Sequence, residues 1–274
     1  MRGTLCTRTS LAAIAALLVL LRPAPTIAAQ GAPTIVVTNA TYLEVDDQTG
    51  LWQMRGDPVV VTRRAMTVRA PAMTFDSRRQ VLTVTGPVSV EDEDRTLTAA
   101  SVVVFLADER LLAEGEVIAV VERGAPTVRL QADRLEVWSQ QQRALATGAV
   151  SLTHGPVTLT ATELTYDLQA HHAIATGRPR AESPDATISG DRIGVQLDRD
   201  ELTADGAVRI TAETVEGTAP TLVWQAAQHL VTLSGGAIVR QGRNELRAEV
   251  IVVDLQRKQI IATGGAHVVV YPNP

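Results

Sequence analysis

The sequence predicts an all-β fold, an elongated stack of short strands built from one repeated unit. Three observations lead to this prediction. A short motif returns eight times with a period of about 29 residues, and such a period is typical of repeat architectures. Apolar residues within each copy are two positions apart, which is the alternation of a strand. No stretch after the leader keeps the i, i+3, i+4, i+7 apolar pattern of a helix.

The N-terminal segment has the pattern of a cleaved secretory signal peptide, predicted over residues 1–29. Arg2 and Arg8 precede an apolar run of eleven residues, and small residues follow at 28–29. A retained anchor is the alternative, but the run is shorter than the roughly 20 residues that a spanning helix needs. We therefore expect export and a single repeat domain over residues 30–274.

Composition limits the possible functions. Of 274 residues, 45% are hydrophobic and only 3% are aromatic, so aliphatic side chains and alanine must build the core. The net charge is −5, and cleavage of the leader would remove three arginines and leave −8. Without a basic surplus, nucleic acid is not an expected partner. Cys6 lies in the leader, so the exported chain would fold without disulfides.

Each copy of the repeat is framed by a small residue and a closing glycine, always 16 positions apart. All length variation falls between the glycine and the next small residue. The closing glycines and their small partners are Gly56 with Ala40, Gly86 with Ala70, Gly115 with Ala99, Gly148 with Ala132, Gly177 with Ala161, Gly206 with Gly190, Gly235 with Ala219, and Gly264 with Ala248.

Two columns within the repeat are apolar in every copy, three and five positions after the small residue. The alternate positions before the small residue continue this stripe, but the phase slips by one residue after it. Such a slip reverses the face of a strand unless the strand bends or bulges, so we expect a corner there. Asp46, Asp76, Asp167 and Asp254 share a later column, and aspartate favours turns.

These apolar columns predict the residues that face the interior of the stack. We expect either an open groove between two walls or an interior filled by the same side chains. The candidate lining residues are Val68, Met73, Phe75, Leu97, Val102, Val104, Leu130, Leu135, Val137, Leu159, Leu164, Tyr166, Ile188, Ile193, Val195, Leu222, Trp224, Ile251 and Val253.

No catalytic or metal-binding motif is present, and we expect neither catalysis nor a cofactor. The adjacent His171 and His172 are interpreted as solvated turn residues. Asp133, Asp191 and Glu249 recur in one column, about 10 Å apart on stacked strands, a spacing found in some inverting glycosidases. A carbohydrate-active repeat protein is therefore one alternative.

The units "LTATELTYDLQAHHAIATGRPR" and "LRAEVIVVDLQRKQIIATGGAHV" resemble the OstA-like, LptA-type family of periplasmic lipopolysaccharide-transport proteins. The resemblance extends over residues 35 to 270. It implies a twisted, open β-jelly-roll with a hydrophobic groove that holds the acyl chains of lipopolysaccharide. It also implies transport towards the outer membrane of Gram-negative bacteria.

The family resemblance implies partners as well. Its members pair terminal strands with each other and with the inner- and outer-membrane components of the transport complex. The first strand, "TIVVTNATYLEV", and the last, "AHVVVY", are the edges that such pairing would use. The absence of a long anchor or a following barrel favours the soluble bridge over membrane-bound relatives. A structural β-repeat without lipid cargo is the main alternative.

Overall fold

The computed structural model describes residues 35–271 except 64–65, 93, 123–126, 168, 197–198, 200, 214 and 226–227. The predicted signal peptide lies outside the described residues. The regular structure is β, and the described part of the chain contains no α-helix, which confirms the predicted fold class.

Nineteen strands are present in the described residues. Their bounds in chain order are β1 Ile35–Asp46, β2 Leu51–Arg63, β3 Met66–Asp76, β4 Val81–Asp92, β5 Arg95–Phe105, β6 Arg110–Val121, β7 Val128–Trp138, β8 Arg143–His154, β9 Val157–Asp167, β10 His172–Thr176, β11 Arg180–Glu182, β12 Ala186–Ser189, β13 Arg192–Gln196, β14 Glu201–Ala212, β15 Glu216–Gln225, β16 Leu230–Gln241, β17 Asn244–Asp254, β18 Gln259–Thr263 and β19 His267–Val269.

The chain divides into two compact units, and the repeat is present in both. The N-terminal unit contains residues 35–152 and 165–170, and the C-terminal unit contains residues 153–164 and 171–271. Strands β1 to β7 of the N-terminal unit pair antiparallel in chain order. In the C-terminal unit β13 to β17 do the same, and β17 also pairs with β18 and β19. The observed arrangement is therefore an antiparallel wrap, in which strands that follow one another in the chain pair with each other.

The predicted corner is present in the middle of each long strand. The register between β3 and β4 shifts between Arg69 and Ala72, and the register between β15 and β16 shifts between Thr218 and Thr221. Each shift coincides with the small residue of one strand and the closing glycine of the next. The strand therefore bends, and its two halves belong to two different walls.

The closing glycines explain the fixed offset of 16 residues. Seven of them have φ between 75° and 98°, and each lies against the residue that follows the small residue of its own copy. A Cβ added to these glycines would lie 2.1–3.0 Å from that neighbour. Because other residues rarely adopt this conformation, the corner needs glycine. The pairs are Gly86 with Pro71, Gly115 with Ala100, Gly148 with Asp133, Gly177 with Thr162, Gly206 with Asp191, Gly235 with Pro220 and Gly264 with Glu249.

The predicted aspartate turns are also present. The Oδ1 atom of Asp76 accepts hydrogen bonds from the backbone N–H groups of Arg78 and Arg79, and Asp254 accepts equivalent bonds. These turns, and the corresponding turns of three copies that have no aspartate in this column, end on a residue with positive φ. This residue lies six positions before the closing glycine. These left-handed residues are Gly50, Gln80, Glu109, Gln142, His171, His229 and Lys258.

The strands are longer than the sequence pattern predicts. Strand β8, which contains the motif "ALATG" of residues 144–148, continues through Gly148 from Arg143 to His154 and is longer than the short strands that the sequence predicts. The bulge bends the strand without ending its pairing. In the copy that contains Gly177 the strand does break, and its halves are β10 and β11.

Replacing a closing glycine should cost more stability than replacing a glycine that has positive φ and free space. In Gly148→Ala the new Cβ would lie 2.1 Å from Oδ2 of Asp133, and φ is 98°. We expect a loss of about 2–3 kcal/mol in the free energy of unfolding, measured by urea denaturation.

Gly236→Ala is the matched control, because φ is 84° and nothing lies within 4 Å of the new Cβ. The control should lose only about 1 kcal/mol, the cost of the left-handed backbone. Equal losses in the two variants would show that the contact at the corner has no energetic role.

Candidate functional site

The cross-strand register aligns apolar residues into continuous inward rows. In the N-terminal unit one row contains Met54, Met73, Val84, Val102 and Leu135. Their side chains are 5% exposed or less. Each copy contributes two strands, so equivalent residues of successive copies, such as Met73 and Val102, lie on alternate strands with an apolar residue of the intervening strand between them. The row therefore crosses these strands without a polar interruption.

The C-terminal unit contains an equivalent row. Ile193, Ala204, Leu222, Leu233 and Ile251 lie in register across β13 to β17. None of them is more than 1% exposed. The interior of this unit is therefore aliphatic and shielded from solvent.

The predicted lining residues are mostly buried, 17 of the 19 below 10% exposure. The exceptions are Phe75 and Val104, which are half-buried. The buried residues are Val68, Met73, Leu97, Val102, Leu130, Leu135, Val137, Leu159, Leu164, Tyr166, Ile188, Ile193, Val195, Leu222, Trp224, Ile251 and Val253.

Sequence reasoning missed a second set of interior residues, which lie on the strand that carries the closing glycine. On this strand, the residues two and four positions before and after the glycine also face inward. The sequence signal that could have identified them is the alternation of apolar residues on both sides of the glycine, including the alanines of "ALATG". The missed residues include Val88, Val90, Ala113, Val117, Ala119, Ala144, Ala146, Val150, Leu152, Ala173, Ala175, Leu202, Ala204, Val208, Ile210, Val231, Leu233, Ala237 and Val239.

The two walls of the C-terminal unit touch each other. The first wall contains residues 221–225 and 230–234, and the second contains residues 208–212, 216–219 and 237–241. Leu233 belongs to the first wall, and its Cδ1 would lie 2.8 Å from a Cβ on Gly217 of the second wall. Side chains therefore fill the interior at this point, and Gly217 provides the space for Leu233.

The free margins of these walls also meet. Glu213 lies in the turn after β14, at the margin of the second wall, and Lys258 lies in the turn after β17, at the margin of the first wall. The Nζ atom of Lys258 is 3.7 Å from Oε2 of Glu213. Both side chains are largely exposed, so this ion pair contributes little to stability. It shows, however, that the margins of the two walls lie within ion-pair distance of each other.

The first hairpin of the N-terminal unit leaves its inward residues uncovered. Leu43 and Val45 are 56% and 42% exposed, whereas Met73, in the same column as Leu43, is 1% exposed. Trp52, in register with Val45, is 42% exposed. Strand β1 is exposed along both faces, so the apolar interior reaches solvent here.

Two inward side chains of the C-terminal unit bring polar atoms into the apolar interior. His154 is 5% exposed and Trp224 is 9% exposed. Neither Nε2 of His154 nor Nε1 of Trp224 has a hydrogen-bond partner among the described residues. Burial lowers the pKa of His154 below its ordinary value of 6.5, because desolvation disfavours the charged ring.

The recurring acidic column lies at the corners of the repeat. The Oδ2 atom of Asp133 accepts a hydrogen bond from the backbone N–H of Ala149 at 3.1 Å. Asp191 and Glu249 each lie against the closing glycine of their own copy. Within the described part of the chain, no three acidic, histidine or cysteine side chains form a metal-binding group.

The interior and its edges define a class of protein, an all-β repeat protein with an apolar core between two walls. Among the residues that the structure describes, no helix has the length and apolar character to cross a membrane. The family model described as "LptA/(LptD N-terminal domain) LPS transport protein" matches residues 67–201 and 129–259. These matches cover more than half of the chain, so the chain belongs to this family of lipopolysaccharide-transport proteins.

Among solved structures, the chain is similar to LptH, the LptA-homologous periplasmic component of the lipopolysaccharide transport device of Pseudomonas aeruginosa. The two sequences are 22% identical, and the matched region covers 53% of this chain and 95% of the LptH chain, with a TM-score of 0.26. No curated protein matches this sequence.

The buried imidazole of His154 should make stability depend on pH. The unfolded chain, with a histidine pKa of about 6.5, binds a proton before the folded chain does. Stability is therefore complete above this pH, falls as the pH decreases through it, and levels off below the folded pKa. Urea denaturation between pH 8 and 5 should show an added slope of at most about 1.4 kcal/mol per pH unit.

His154→Gln should remove this slope, whereas His267→Gln, at an exposed position of β19, should keep it. An unchanged slope in the His154 variant would show that this histidine is not responsible for the pH dependence.

Proposed function

We propose that this protein is a periplasmic carrier that holds the acyl chains of lipopolysaccharide between its two walls during transport to the outer membrane. The continuous inward apolar rows carry the proposal, and family membership supports it. We propose the predicted lining residues as the acyl contacts. The single repeat domain over residues 30–274 and the cleaved leader remain predictions that belong to this proposal.

The energetic reason for such an interior is the cost of exposing hydrocarbon. Each CH₂ group transferred to water costs about 0.8 kcal/mol, so a twelve-carbon chain costs on the order of 10 kcal/mol. An acyl chain cannot cross an aqueous gap at this cost. Uniform apolar rows lower the cost at every step along the unit, because each copy offers the same inward columns.

Cargo must separate the walls where they touch. Leu233 occupies the space above Gly217, so an acyl chain that enters there must displace it and increase the distance between Glu213 and Lys258. Apolar contacts between side chains of the two walls are then replaced by apolar contacts between these side chains and the acyl chain. The driving force remains the removal of the acyl chain from water.

A structural β-repeat without cargo is the second candidate. The filled interior of the C-terminal unit favours it, because 0–1% exposure along the row from Ile193 to Ile251 leaves no open groove there. The two candidates differ in one observable property, which is whether lipid reaches the inward face.

Photo-crosslinking on adjacent valines tests which face lipid contacts. Val102 and Val253 are inward, whereas their neighbours Val103 and Val252 face outward and are half-buried. A photoreactive amino acid at Val102 or Val253 should label lipopolysaccharide at least about tenfold more than one at the neighbouring valine. The readout is the lipid–protein adduct on a gel.

A zero-length crosslink provides the control for wall separation. Lys258 is the only lysine of the chain, so a carbodiimide should join it to Glu213 by an amide. This should reduce labelling at Val253 in the otherwise native protein, and Glu213→Gln should restore it. Equal labelling of inward and outward valines would contradict the carrier and favour the scaffold.

We also propose strand addition at the two ends, with other copies or with the membrane components of the transport complex. At the C-terminal edge, Ile261 and Val268 are 56% exposed and Val270 is 64% exposed. Exposed β1 is the complementary edge at the other end. Unpaired strand edges with apolar side chains are sites for pairing with another chain.

A lysine on the terminal edge should weaken this association. Ile261→Lys places a charge on β18, and we expect at least tenfold weaker self-association in sedimentation velocity experiments. Thr221→Lys is the matched control, because Thr221 is exposed on β15 between two paired strands. If both variants associate like the wild type, pairing does not use this edge.

A further inference from the structure

Trp224 is the exception in an otherwise aliphatic row of the C-terminal unit. The register places it between Leu202 and Val231, which are 1% and 0% exposed. The indole ring is more than nine-tenths buried. Its Nε1 atom is itself shielded from solvent and has no hydrogen-bond partner in the described part of the chain.

A buried donor without an acceptor is rare in folded proteins, and each instance needs an explanation. The cross-strand neighbours Leu202 and Val231 have no side-chain acceptor. A phenylalanine would give similar apolar surface without an unpaired N–H group, as Phe75 does in the same column. The indole N–H therefore marks a position where an acceptor from outside the chain would be stabilised.

The chemistry of this acceptor is restricted. The indole nitrogen only donates, so its partner must supply an oxygen or nitrogen lone pair. The partner must also be tolerated within an aliphatic interior, which excludes carboxylates and phosphates without a paired cation. His154 is less informative, because its Nε2 accepts in one tautomer and donates in the other.

We propose that Trp224 donates a hydrogen bond to the carbonyl oxygen of the linkage that joins an acyl chain to its headgroup. This inference rests on the proposed function, since it assumes that acyl chains enter the interior. It adds a specificity: the C-terminal unit distinguishes ester-linked chains from ether-linked chains of equal length. A site with a buried donor disfavours an analogue that lacks the acceptor, because the donor stays unpaired.

Two lipids that differ only in this carbonyl group test the proposal. The probes are a short-chain diacyl phosphatidylglycerol and its dialkyl ether analogue, both below their micelle concentrations. Calorimetric titration of the wild-type protein should give three- to tenfold tighter binding of the ester, the range expected for one hydrogen bond. Trp224→Phe should remove this preference, so that the ester and the ether bind with equal affinity. Trp138→Phe, on the outward face, should keep the preference.

A second readout leaves Trp224 in place. The chain has three tryptophans and three tyrosines, so Trp52→Phe with Trp138→Phe leaves Trp224 as the only tryptophan, which can be excited selectively at wavelengths that tyrosine does not absorb. The ester should shift its emission to longer wavelength than the ether does. Equal affinities and equal emission for the two lipids would overturn the proposal for Trp224 and leave the carrier intact. Failure of both lipids to bind would instead contradict the proposed function.

Discussion

The corner of the repeat is the constraint on which the rest of the structure depends. A glycine with left-handed backbone lies against the residue that follows the small residue of the same copy, as Gly148 does against Asp133. This contact fixes the offset of 16 positions between the small residue and the glycine, and leaves length variation to the segment between the glycine and the next small residue. It also bends the long strands without ending their pairing, so one long strand supplies residues to both walls. The interior lies between two walls because these strands bend at the same position of the repeat.

The sequence was sufficient for the repeat, the corner and the aspartate turns, because each depends on residues of one copy. It was not sufficient for the full lining. The alanines of "ALATG" are small and were not included as wall residues, yet Ala144 and Ala146 are 2% exposed. Contact between the two walls could not be predicted from the sequence either. Whether Leu233 reaches Gly217 depends on the angle of the bend and on side-chain volume across the interior, and neither follows from alternation along a strand.

A closed interior places a further requirement on a protein that carries acyl chains. An open trough only has to receive hydrocarbon, whereas a filled interior must exchange its own contacts for those of the cargo. The N-terminal hairpin differs from the closed region, since Leu43 and Trp52 already expose inward apolar surface. In the proposed carrier, hydrocarbon would gain burial at this hairpin without first displacing side chains. In the closed region, the contact of Leu233 with the opposite wall keeps water out of the apolar interior when no lipid is bound.

Uniform aliphatic rows allow hydrocarbon to move without a preferred position, because every copy offers the same surface. A polar atom in such a row breaks this uniformity. At Trp224 an acyl chain would have one favoured depth, with its linkage carbonyl at the indole N–H and its methylene groups along Leu202 and Val231. The stabilisation of a single neutral hydrogen bond, about 0.5–1.5 kcal/mol, is small beside the burial of a whole chain. The hydrogen bond would therefore favour one position of the acyl chain without preventing the chain from moving on.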